Sequence, residues 1–101
     1  MQLQFTRDEL ALLAEILERQ AATRTDRLKG ASYALLDHVI RHDLGLAFDE
    51  LEDLQDLLMS CKTELLQQVA SASPQLKTQL ELREKLLQKI TDKVTEACAM
   101  V

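Results

Sequence analysis

"LGLAFDELEDLQDLLMSCKTELLQQVASASPQL", residues 44–76, decides the fold. Leu44, Ala47, Leu51, Leu54, Leu58, Cys61, Leu65, Gln68 and Ala72 recur at alternating steps of three and four. That spacing keeps side chains on one face of an α-helix and, sustained this long, makes a seam for a second helix. Phe48, Leu57, Leu66 and Val69 flank the seam. They widen the apolar arc to about 200°, twice the ~100° stripe of an ordinary surface helix. A helix this apolar must touch more than one neighbour. "SASP" then stops it: Ser73 can cap a new helix, and Pro74 suits the first helical position, where a missing N–H costs nothing. Beyond it Leu76, Leu80, Leu87, Ile90, Val94 and Ala97 form a second seam, with Arg83 its one charged intruder. The helices predicted over 44–72 and 74–99 are each about 40 Å long at 1.5 Å per residue. Matched lengths and a short loop imply an antiparallel hairpin.

Working back from this hairpin, "FTRDEL" is a helix start. Thr6 can cap, Glu9 stands three residues on, and Phe5 can staple against Leu10. Leu10, Leu12, Leu13, Ile16 and Leu17 then line one face. "ERQAATRTDR" interrupts the stripe without glycine or proline. Thr25 could cap a new helix. Equally, Leu28 follows Leu10 by about five whole turns at 3.6 residues per turn, so one long, kinked helix keeps its face in phase; that reading is slightly preferred. Residues 26–42 are helical by the same test, with Leu28, Leu35, Leu36, Val39 and Ile40 on the apolar side. Asp43 is a cap for the next helix, and Gly45 weakens any continuation. The expectation is an all-α single domain over residues 1–101. It is an antiparallel bundle of three long helices, or four if the first breaks near 22–25.

Composition agrees. Hydrophobic residues make up 47% of the 101, with leucine the commonest, while aromatics are 3%, with Gly 2 and Pro 1, so a sheet has little support. The net charge of −5 repels a phosphate backbone and an anionic membrane surface alike, so neither nucleic acid nor membrane is an expected partner. The first ten residues lack the basic-then-apolar pattern of a secretory signal, which points to the cytoplasm. Six acids and no base lie between Asp43 and Cys61. A symmetric hairpin would set Asp56 opposite Lys89 and Glu52 opposite Lys93.

Chemistry is harder to find. "DHVIRHD", residues 37–43, places His38 and His42 one turn apart, as in a zinc-binding helix, but Val39 stands where a general-base glutamate would follow His38. The turn at 43–45 could bring Asp49 or Glu50 opposite His38; His38, His42 and Glu50 are the candidate metal ligands. The plainer reading is the polar end of a helix. Cys61 and Cys98 fall in separate stretches of the seams, roughly 20 Å apart at helical rise, too far for a disulfide, and read as buried free thiols. No glycine-rich phosphate loop exists, and no catalytic residue or cofactor is expected.

The order of "FTRDELALLAEILERQ" and "RHDLGLAFDELEDLQDLL" resembles a group of short bacterial α-helical proteins of uncharacterised function. The resemblance rests on Phe5, Thr6, Glu9, Leu10, Leu13, His42, Asp43, Phe48, Leu51 and Leu58 and covers about a third of the chain. It implies a helical-hairpin core and no known activity. Residues 20–36 and the helix after Pro74 have no counterpart in it.

The leading expectation is a non-enzymatic interaction protein that self-associates as a dimer through Leu51, Leu54, Leu58, Leu65, Leu80, Leu87, Ile90 and Val94. An obligate partner chain, making this an adaptor or chaperone-like subunit, could cover the same side chains. A metal-binding bundle on His38, His42 and Glu50, and a small-molecule carrier using a gap between leucine-lined helices, are the rival readings.

Overall fold

The computed structural model describes residues 3–100; Met1, Gln2 and Val101 lie outside the described residues. Four helices follow in order: α1 (Arg7–Thr23), α2 (Leu28–Ile40), α3 (Phe48–Ser71) and α4 (Pro74–Met100). The chain is an all-α bundle ending in an α3/α4 hairpin.

α1 starts as its local sequence requires. The Thr6 hydroxyl accepts from the Glu9 N–H at 3.2 Å, and the Glu9 carboxylate accepts from the Thr6 N–H at 2.9 Å. Two of the orphan donors at the helix start are thereby satisfied reciprocally. The slight preference for one continuous helix through residues 20–28 is corrected: α1 ends at Thr23. Arg24 turns extended (φ −80°, ψ 150°), and its guanidinium spans Gln20 Oε1 and Asp26 Oδ2, each at 2.8 Å. The reason is tertiary. A continued helix would carry Leu35 and Val39 into water, whereas doubling back buries both against the core. Each such side chain gains about 1.5–3 kcal/mol on burial.

α2 ends where "DHVIRHD" raises its question. The Asp43 N–H donates to the His38 carbonyl at 3.0 Å and the His42 N–H to the Val39 carbonyl at 3.1 Å. This is the paired closure of a helix terminating through a left-handed residue, which is His42, at φ 56°. Glycine normally takes that position. Gly30, by contrast, sits inside α2 with open space where a side chain would begin. His42→Gly is therefore expected to stabilise the protein by about 0.5 kcal/mol and Gly30→Ala by about 0.5–1 kcal/mol. Urea melts of the two variants check both signs, and the gains should add because the sites are separate.

The expected helix over 44–72 starts four residues late. Leu44 and Leu46 lie in an extended segment and are both buried, with Gly45 between them exposed. The Leu44 carbonyl accepts the Leu3 N–H at 3.2 Å, which ties the start of the chain to this segment. The cap expected of Asp43 is replaced by a half-box, in which Glu50 accepts the Ala47 N–H at 3.0 Å.

The hairpin register is also corrected. Gln55 meets Thr95 at 3.4 Å and Lys62 meets Gln88 at 2.7 Å, five residues further along α4 than a symmetric turn at 72–73 sets. The turn overshoots the end of α3, and residues 73–79 are all exposed. The pairs Asp56–Lys89 and Glu52–Lys93 consequently do not form. Lys93 reaches α1 instead, 2.6 Å from Glu9.

One apolar cluster joins all four helices. Leu51, Leu54, Leu58 and Leu65 on α3, and Leu87, Ile90 and Val94 on α4, are at most 5% exposed within a single chain; Leu80 is half-buried. These are the side chains expected to meet a second molecule. The same chain covers them, because α1 and α2 lie over the part of the α3 arc that α4 leaves free. They have almost no surface left to offer a partner.

Candidate functional site

Short connections bring the end of α2 and the start of α3 together. His38 Nε2 lies 2.9 Å from Glu50 Oε2, and His38 Nδ1 lies 2.9 Å from the Asp43 carbonyl. That carbonyl can only accept, so Nδ1 carries a proton. Glu50 uses its other oxygen on the Ala47 N–H. The pair therefore clasps α2 to α3. His42 does not join it: its left-handed backbone closes α2 and its side chain is exposed. Among the described residues no three His, Cys, Asp or Glu side chains gather to hold a metal. Of the candidate ligand set, His38 and Glu50 meet and the third is missing.

A second polar feature is a cleft between α1 and the hairpin. Leu12, Ile16, Leu65 and Leu87 line its interior, and Arg83 crosses it to pair with Glu15. The charged intruder in the α4 seam is thus an interhelical tie. Its cavity, about 50 Å³, has room for a few waters, far below the ~300–1,000 Å³ of a ligand pocket. The carrier reading finds no space here. Cys61 borders this cleft half-buried; burial, helped by Glu64, pushes its thiol up from the ordinary value. Burial and Glu52 push Cys98 the same way. Both thiols stay protonated at neutral pH and are weak nucleophiles. They are half-buried rather than fully buried as the seams implied.

The buried charge is Glu9, 2% exposed. Burial is the largest influence on its carboxyl and raises its pKa. The Lys93 ammonium and the Thr6 N–H and hydroxyl together outweigh it and hold the carboxyl below its ordinary value. Oε1 takes both the Thr6 N–H and Lys93, while Oε2 is buried with no hydrogen-bond partner among the described residues. Lys93 also stands 5.5 Å from the centre of the Phe5 ring, within cation–π range. This is a structural tie from α4 to the start of α1.

A larger and more open groove lies on the outside of the α1/α2 pair, about 510 Å³. Ala14, Ala21, Ala22 and Glu18 of α1 face Tyr33, Leu36 and Ile40 of α2 across it. Tyr33 is 56% exposed and Ile40 65%. Residues 33, 36 and 40 share one side of the helix by their three-and-four spacing. Ile40, expected on the buried side with Val39, lies ~100° round from it and faces out. Phe48, Met59 and Leu66 are also exposed and share one side of α3, but they are spread over about 27 Å of helix with no second helix beside them to make a groove. Leu76 and Leu82 are both exposed on α4, but six residues put them about 120° apart around the helix. The groove was missed in the sequence because Leu36 and Ile40 count equally well as core in an apolar tally.

No protein-family model matches this chain, and no curated protein or solved structure matches it either.

Proposed function

We propose that the protein is a non-enzymatic interaction module of the cytoplasm that self-associates as a homodimer, and that its contact face is the α1/α2 groove. The observation that carries this reading is the pair Tyr33 and Ile40 standing exposed, with half-buried Leu36 between them, along one edge of a concave, alanine-lined surface. Covering each exposed side chain gains on the order of 1–2 kcal/mol. Both copies contribute, and the sum offsets the cost of association only partly, which places the dimer in the roughly micromolar range. Glu9 is engaged in a cap and ion pair, His38 and Glu50 in a clasp, and both thiols are protonated. The net charge of −5 disfavours nucleic acid, and no helix of the described residues is long and apolar enough to cross a membrane.

Sedimentation equilibrium tests the reading. The wild type is expected to move from 11.5 kDa towards twice that mass across the micromolar range. Ile40→Asp, a change at an exposed position, should stay monomeric with an unchanged helical spectrum. A wild type that remains at 11.5 kDa throughout would sink the proposal.

A further inference from the structure

Two exposed stripes on the hairpin match one another in charge and in spacing. Glu52, Asp56 and Met59 lie on α3, four and then three residues apart, within about 60° of its circumference. Lys89, Lys85 and Leu82 lie on α4, read backwards, at the same steps and within an arc of the same width. All six are exposed, and none of the four charges has an ion-pair partner among the described residues. Their acidic neighbours Glu50 and Asp53 are taken, by His38 and Arg27. The single chain cannot join the two stripes. Its own α3/α4 seam runs through Gln55–Thr95 and Lys62–Gln88, which leaves both stripes on the outward sides of their helices.

Independently of the α1/α2 groove, we propose that the α3 stripe of one copy docks on the α4 stripe of a second copy, with the two helices antiparallel. Setting Glu52 level with Lys89 brings Asp56 level with Lys85 and Met59 level with Leu82, so two ion pairs and one apolar contact form together. A parallel alignment also matches the charges, but it sets Met59 level with Asp92 and Leu82 level with Asp49. The occupant is a second copy because the complement of each stripe stands on this chain's own surface. The contact uses a different face on each copy, so each pair leaves one stripe of each kind open. Exposed ion pairs contribute little, which places the affinity on the order of millimolar, well below that of the groove.

Charge reversal tests the contact in the Ile40→Asp chain, in which the groove is closed to a second copy. Sedimentation equilibrium of that chain at low salt should show association near about 1 mM. Adding Glu52→Lys with Asp56→Lys, or Lys85→Glu with Lys89→Glu, should weaken it roughly tenfold, since each then sets like charges face to face. An equimolar mixture of these two chains should associate where neither does alone, because the reversed stripe of one meets the reversed stripe of the other. Met59→Lys should weaken association by bringing a cation against Leu82; in the parallel alignment it would meet Asp92 and strengthen it. Helical spectra confirm that each chain folds. If the Ile40→Asp chain stays monomeric up to about 2 mM, or the mixture stays unassociated, the contact is overturned, and the groove reading, tested on the wild type at micromolar concentration, is untouched. If Met59→Lys strengthens association, the antiparallel register is overturned. A wild type that is monomeric at micromolar concentration removes the groove reading alone.

Discussion

Leu58→Ala is expected to lower the free energy of unfolding by about 3–4 kcal/mol, and by the same amount at every protein concentration. Leu58 is 0% exposed and lies within the cluster shared by all four helices. Truncating it removes transfer energy and leaves a cavity that the surrounding leucines only partly collapse into. A domain of this size has about 5–15 kcal/mol in all, so the loss is a large share of the total. The concentration test matters as much as the magnitude. Were Leu58 held by a second molecule, its truncation would act through dimer affinity, and the difference from wild type would grow or shrink with dilution. Urea unfolding at two widely separated concentrations separates the cases.

Glu9→Ala is the second large effect, expected at about 2–4 kcal/mol at neutral pH. It removes half of the capping box, the partner of Lys93 and a packed side chain together. Lys93 is 38% exposed, so its freed ammonium can rehydrate, which keeps the cost below that of a fully buried pair. The pH dependence has a definite sign. The folded carboxyl titrates below its ordinary 4.5, so its contribution is fully present above that value. It is lost as pH falls through the lower, folded value. The wild type should therefore lose stability on acidification through this range faster than Glu9→Ala, and the gap between the two curves should narrow towards the acid end to the part that packing supplies. A gap that stays constant between neutral pH and the acid limit would show that the carboxylate charge plays no part.

How much of this was legible in the sequence depends on whether local chemistry or tertiary contact decided the outcome. The Thr6/Glu9 box and the Pro74 start are local, and both are read correctly from a handful of residues. The two seams are periodic over many turns, so the hairpin follows. The break at residues 24–27 has no glycine or proline. It is fixed by Arg24 bridging Gln20 and Asp26 and by the burial that doubling back allows, which no window around residue 24 contains. The late start of α3 turns on Leu44 and Leu46, whose alternation across Gly45 is hidden inside a longer helical pattern. The width of the α3 arc correctly demands a second neighbour. That the neighbour is α1 and α2 of the same chain, and not another molecule, is a matter of where the 24–27 turn sends them. At the clasp, the approach of Glu50 to His38 is readable from the short turn between them. The left-handed backbone at His42 is not, because glycine is the residue that usually announces it.

Two apolar surfaces are distinct: the hairpin seam is sealed within one chain, and the exposed α1/α2 groove is the face proposed for a second copy. Methyl-resolved NMR on dilution from about 500 to about 5 µM, a range that brackets a micromolar dimer, distinguishes them directly. The methyl signals of Leu36 and Ile40 should shift with concentration while those of Leu51, Leu54 and Leu58 hold still. Movement confined to the α3 leucines, or no movement at any of these positions, would contradict it.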